Sequence, residues 1–191
     1  MVAVTRKRRL WWRHVISFLA FPVTMTLVIP ALIAIVADLR RPDFGSVLTV
    51  GLVAVGGVLI VVGLGLLVAT VVLFDRVGEG TLGLGTVMGE PVHLVVRGPY
   101  RHVRNPMISG VLCILLGEAA VTASGWLLGW FAIFLTFQAV AIRFWEEPHL
   151  VGRFGDEYLD YRRNVPRWIP RITSWAGSNE PLAAGHHSGD V

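Results

Sequence analysis

Charge is scarce in this chain. Of its 191 residues only 16% are charged, 54% are hydrophobic, and the mean hydropathy is +0.63. Soluble domains are also near half apolar but carry about 25% charge. The deficit, together with long uncharged runs, excludes an ordinary soluble domain and indicates an integral membrane protein. Cysteine is nearly absent. Cys113 alone excludes an intrachain disulfide and a cysteine-cluster metal site, and it reads as a small apolar packing residue. His93, His102 and His149 share no ligand spacing and no His-Glu-x-x-His pattern occurs, so no metal is expected. Gly63-Leu64-Gly65 and Gly83-Leu84-Gly85 lack the strand–helix alternation of a dinucleotide site, and no internal repeat is visible.

What is abundant is apolar sequence. Four candidate spans occupy residues 15–37, 46–74, 107–121 and 126–144. The first two exceed the roughly 20 residues needed to cross a ~30 Å hydrocarbon core. Pro22 and Pro30 predict a kinked or broken first span. The second holds Gly51, Gly56, Gly57, Gly63 and Gly65, which permit close helix approach in lipid. The last two form a hairpin through a tight turn at 122–125. The expected fold is therefore an all-α membrane bundle of about four spans, followed by a C-terminal helix. That helix is read over 146–165, where Leu150, Phe154, Tyr158, Tyr161 and Val165 share one face.

Fifteen of the 17 basic residues fall on one side of this arrangement, with only Arg40 and Arg41 opposite. The positive-inside rule then puts both termini in the cytosol. The net charge of +4 is accounted for by topology and contacts with membrane lipids, so no nucleic-acid partner is needed. The apolar run at 15–37 is too long for a signal peptide and has no small-x-small cleavage site, so a retained span is expected. The expected organisation is a basic N-terminus over 1–14, a membrane domain over 15–171 and a flexible tail over 172–191.

Two charged clusters flank the apolar runs. Arg97-Gly98-Pro99-Tyr100-Arg101-His102-Val103-Arg104-Asn105-Pro106 precedes the third span, and Glu146-Glu147-Pro148-His149 follows the fourth. Positive-inside sorting explains the number of arginines but not the turn residues around them. Arginine offers a planar fork of donors suited to a carboxylate, and a glutamate suits an ammonium group. The clusters thus suit a zwitterionic ligand, and a methionine-derived cofactor carries both groups. Glu118 is read in the middle of the third span, where it must face a cavity or a polar partner, with Gln138 the obvious candidate.

Arg97-Gly98-Pro99-Tyr100, Arg104-Asn105-Pro106-Met107, Glu146-Glu147, Leu150, Phe154-Gly155, Tyr158, Tyr161, Val165-Pro166 and Ile169-Pro170 occur in that order. This ordered set resembles the isoprenylcysteine carboxyl methyltransferase family and the related phospholipid N-methyltransferases. The likeness runs from about Gly89 to Arg171. It implies S-adenosylmethionine bound by segments 89–106 and 146–171, through His93, Val96, Gly98, Pro99, Tyr100, His102, Arg104, Asn105, Pro106, Glu146, Glu147 and His149. Where eukaryotic members usually carry His-Pro-x-Tyr, this chain has Asn105-Pro106-Met107-Ile108, so one tyrosine hydroxyl is missing.

The expected activity is S-adenosylmethionine-dependent methyl transfer to a lipophilic acceptor from the bilayer, with a bacterial inner membrane as the location. Arg143, Glu146 and Glu118 are the candidate catalytic residues, with Arg143 or Arg104 to orient a carboxylate acceptor and Glu118, Glu146 or His149 as the base for an amine. The acceptor chain is expected in a lateral tunnel beside the glycine-rich second span. The rival readings are an NADPH-dependent membrane reductase of the sterol-reductase type and a non-enzymatic lipid-binding membrane protein.

Overall fold

The computed structural model describes residues 20–39, 45–77, 94, 96–175 and 177, with side chains of 74–77 left aside. His93, the basic N-terminus and most of the glycine-rich 78–95 connection lie outside the described residues. Among those described, every regular element is helical. We number them α1 (Ala20–Val36), α2 (Val47–Val77), α3 (Pro106–Thr122), α4 (Gly125–Ala141) and α5 (Glu147–Asn164). A single 3₁₀ turn, Gly98–Arg101, precedes α3.

Among the described residues, two helices are long and apolar enough to cross a membrane, Val47–Leu73 within α2 and the Gly125–Asn164 stretch that begins with α4. The shorter apolar helices are Ala20–Val36 and Pro106–Thr122. The outward faces support this reading. Val55, Val58, Val61, Val62, Leu64 and Val68 of α2 are exposed, as are Leu128, Ile133, Phe137 and Val140 of α4. Contiguous apolar surface on this scale is unfavourable in water and natural against lipid.

The prolines act differently from a break. α1 stays continuous by widening into a π-turn at Thr24–Val28, where the Ile29 N–H bonds to the Thr24 carbonyl. The next residue, Pro30, has no N–H, and its ring would crowd the carbonyl four residues back. The wider turn relieves that clash. The Met25 carbonyl, opposite the missing proline donor, instead accepts from the Trp130 indole of α4 at 3.2 Å. The same device joins α4 to α5. A π-turn at Ile142–Glu146 precedes Pro148, and the Glu147 N–H bonds to the Ile142 carbonyl. α4 therefore passes into the first half of α5 without a break. The only non-helical residue of α5 is Gly155, at φ 54° and ψ −129°, which kinks it midway.

α2 and α3 pack at the closest range in the molecule. A methyl group on Gly56 would stand 2.7 Å from the Gly117 carbonyl oxygen, and one on Gly63 would stand 2.6 Å from that of Gly110. Each helix thus offers two glycines seven residues apart, which lets the backbones touch. Gly51, Gly57 and Gly65 meet nothing within 4 Å. On the α3 side of the second span this contact leaves no room for an acyl chain. Below this seam Val111, Leu112, Leu115 and Phe134 form the bundle core, with Phe21, Met25, Leu67 and Trp168 against it.

The hairpin turn is as short as expected. Ala123 takes the left-handed conformation at φ 48°, and Ser124 caps α4 by accepting from the Leu127 N–H at 3.4 Å.

Candidate active site

The site forms at the end of the bundle where α3 begins. Arg97 is extended and Gly98 turns the chain at φ +53°, a value that disfavours side chains. The turn brings Tyr100 inward, where its carbonyl accepts from the Tyr161 hydroxyl of α5 at 2.7 Å. Val103 is fully buried. Asn105 stands at the cap of α3 without a side-chain capping bond, and Pro106 occupies its first turn, where no N–H is missed.

The chain after α5 folds back along this turn. The Arg104 N–H bonds to the Pro166 carbonyl at 2.8 Å, Arg171 N–H to the His102 carbonyl at 3.0 Å, and Trp175 N–H to the Arg101 carbonyl at 3.0 Å. His102 Nδ1 lies 2.8 Å from the Arg171 carbonyl. A carbonyl can only accept, so Nδ1 carries a hydrogen. Ser109 in the first turn of α3 donates to the Trp168 carbonyl at 3.0 Å. These contacts run on to Trp175, whose ring lies 5.6 Å from that of Tyr161.

The two clusters meet. Arg104 Nη1 donates to Glu147 Oε1 at 2.8 Å, while its Nε donates to the Val165 carbonyl at 2.9 Å. Arg167 donates to the same carboxylate oxygen from Nε at 3.1 Å and from Nη2 at 2.6 Å. Arg162 stands 3.7 Å from Oε2. Glu147 is 3% exposed, so a buried anion is compensated by three guanidinium groups. Burial raises its carboxyl, but the Arg167 and Arg104 contacts outweigh that and hold it below the ordinary value of 4.5. Glu146 moves the other way, raised by burial and then by the Glu147 charge, with Arg104 and Arg167 offsetting in part. Adjacent carboxyls pushed apart in this way are suited to different roles. Among the described residues Glu146 forms no ion pair.

A cavity of about 550 Å³ opens beside the turn, lined by Leu66, Pro99, Arg101, His102, Pro170 and Ser174, among others. It lies within the roughly 300–1,000 Å³ range of small-molecule sites. The lining pairs a guanidinium, an imidazole and a hydroxyl with apolar walls.

The other expected residues are placed as follows. Val96 packs in the cluster of Tyr158, Tyr161 and Val165, where Leu150 and Phe154 also pack, so the expected helix face is the packing face. Arg143 and His149 are exposed. Glu118 lies one turn from the far end of α3 rather than in its middle. Twelve residues from Pro106, at 1.5 Å per residue, put it about 18 Å along the helix from the end that carries the arginine turn. Its Oε2 is buried without a hydrogen-bond partner among the described residues, and Gln138 does not bond to it. Arg167, Arg171, Ser109 and Ser174 were not singled out from sequence. The signal for Arg167 was its place between Pro166 and Pro170 just past the amphipathic helix, at the end that carries Glu147.

The phospholipid methyltransferase family matches residues 52–157, more than half of the chain. This protein belongs to that family. The chain is 43% identical over 74 residues to methanethiol S-methyltransferase 2 of Bradyrhizobium diazoefficiens, covering 38% of this chain and 27% of that protein. It is 39% identical over 85 residues to protein-S-isoprenylcysteine O-methyltransferase of Schizosaccharomyces pombe, covering 41% and 34%. It is 40% identical over 86 residues to methanethiol S-methyltransferase of Mycobacterium tuberculosis, covering 44% and 32%. The matched segments thus span about a quarter to a third of these relatives. No solved structure matches the chain at a significant level.

Proposed function

We propose that this protein is an S-adenosylmethionine-dependent methyltransferase acting on a lipophilic acceptor drawn from the bilayer. The observation that carries the reading is the coincidence of the family match with a polar-ended cavity at one end of an apolar bundle. The cavity's donors fit the methionine end of such a cofactor. Arg101 and His102, which line the cavity, suit its carboxylate. Leu66, Val103 and Pro170 supply apolar walls that exclude water. The Arg104–Glu147 pair holds the turn against α5 and acts as a positioning clamp.

Bound S-adenosylmethionine supplies a sulfonium methyl that is already activated. The protein's task is alignment, for which effective molarity is the main lever. A carboxylate acceptor needs no base. For an amine or thiol acceptor, His102, which lines the cavity, is the side chain proposed to take the proton. The relatives are named for methanethiol and for isoprenylcysteine, so methyl transfer is what they share and the acceptor is where they differ. Four spans with both termini in the cytosol would place this site on the cytosolic side, in a bacterial inner membrane.

Binding of methyl-tritiated S-adenosylmethionine to the purified protein tests the reading. Arg101→Ala should weaken it about tenfold to a hundredfold, the worth of one charge-assisted hydrogen bond. Retention of NADPH instead, or of neither ligand, would overturn the proposal.

A further inference from the structure

The stretch after α5 has its polarity reversed. Arg167 turns inward to Glu147, and Arg171 donates to the Asn164 carbonyl at 2.6 Å and to the Thr173 hydroxyl at 3.0 Å. The isoleucines between and beyond them point out: Ile169 is 79% exposed and Ile172 98%. A water-facing connection would place these side chains the other way round.

Its depth is fixed by three contacts. Trp168 packs against the bundle core of Val111, Leu112, Leu115 and Phe134, and its carbonyl accepts from Ser109, three residues inside α3. Pro170 and Ser174 share a cavity wall with Leu66 of α2. Leu66 in turn faces Gly110, where an added methyl would lie 3.3 Å from the Leu66 Cβ. The apolar part of α2 continues to Leu73, seven residues or about 10 Å beyond Leu66. The segment therefore lies beside the apolar length of α2, not above its end. Phe144 and Trp145, exposed where α4 passes into α5, continue the apolar belt at the same functional end of the long helix.

We propose that residues 166–175 form a hook that inserts into the membrane interface, with Ile169 and Ile172 as its lipid-buried side chains. The occupant of this surface is the bilayer itself, continuous with the lipid-facing sides of α2 and α4. Lipid then backs the wall of the cavity that Pro170 and Ser174 complete. The inference rests on reading α2 as a span, and the test separates the two.

Ile169→Cys and Ile172→Cys are introduced separately in a Cys113→Ser background, spin-labelled, and reconstituted in phospholipid vesicles. Both positions are exposed, so labelling displaces no packed side chain, and each gives its own reading. Val61→Cys, midway along the apolar part of α2, reports the membrane, and Gly152→Cys on α5 reports water. Accessibility to dissolved oxygen over that to a soluble nickel complex should be several-fold higher at 169 and 172 than at 152. A nickel-favoured signal at 172 with an oxygen-favoured one at 61 overturns the hook and leaves the span intact. A nickel-favoured signal at 61 overturns the membrane reading itself. Spin–spin broadening at 172 that disappears on mixing with unlabelled protein would identify a second copy as the occupant and also overturn the hook.

Discussion

Arg104 and Glu147, 43 residues apart in the chain, are joined at 2.8 Å with both side chains almost out of solvent. Sequence alone suggests two opposite anchors for one ligand; the structure pairs them with each other. Removing Arg104 leaves Glu147 to Arg167 and Arg162 but strands the Val165 carbonyl, a loss of about 1–3 kcal/mol. Arg104→Ala should therefore lower the thermal unfolding temperature of the purified protein markedly. Arg104→Lys should recover part of the loss, because it keeps the charge but cannot reproduce the two-pronged contact with Glu147 and the Val165 carbonyl. Equal stability of Arg104→Ala and wild type would contradict the clamp.

Glu147 also sets an acid limit. Its folded carboxyl titrates below its ordinary 4.5, so its stabilisation is present above 4.5 and lost as pH falls through the lower folded value. Stability followed from pH 7 downward should stay level in this respect until about pH 4.5 and then fall. Glu147→Gln should start less stable and show a flatter decline. Parallel profiles for the two proteins would rule out this carboxyl as the source.

The α2–α3 seam predicts a contrast within one helix. Gly63→Leu and Gly56→Leu must push α3 away, an overpacking cost of about 1–3 kcal/mol or more. Gly57→Leu and Gly65→Leu have open space at their Cβ positions and should be nearly neutral. Unfolding in detergent of the four variants distinguishes the pairs. Similar losses in all four would mean that the glycines act through helix backbone properties rather than through contact.

Tyr161 holds the arginine turn by a single bond to the Tyr100 carbonyl. Tyr161→Phe keeps the ring packing against Tyr158 and Trp175 but strands a buried acceptor, which costs about 1–3 kcal/mol. Hydrogen exchange at Tyr100–Val103 should rise more than exchange in α3. Unchanged protection of the turn would show that the backbone bonds to Arg171 and Trp175 suffice without it.

Much of this architecture is written in local sequence. Low charge and uninterrupted apolar runs mark the helices of the bundle, because lipid tolerates few unpaired charges and no unpaired backbone. Spacings of three and four give the packing face of α5, and Gly98-Pro99 dictates the turn. Partners are another matter. Glycine periodicity in α2 could not say that Gly56 and Gly63 touch α3 while Gly57 faces away, since both choices read the same along one helix. Nor could proline content tell a break from a π-turn, because the rescue at Met25 comes from Trp130, over a hundred residues on.

The sequence determined which segments are apolar helices and which stretches carry the charges, because hydropathy, helical period and turn chemistry act over a few residues. Only the tertiary structure decided that Arg104, Arg167 and Glu147 neutralise one another and that Arg167 turns in while Ile172 turns out. Those outcomes depend on which helix ends the bundle brings together. Charge pairing and burial are properties of that neighbourhood, not of any one stretch of chain.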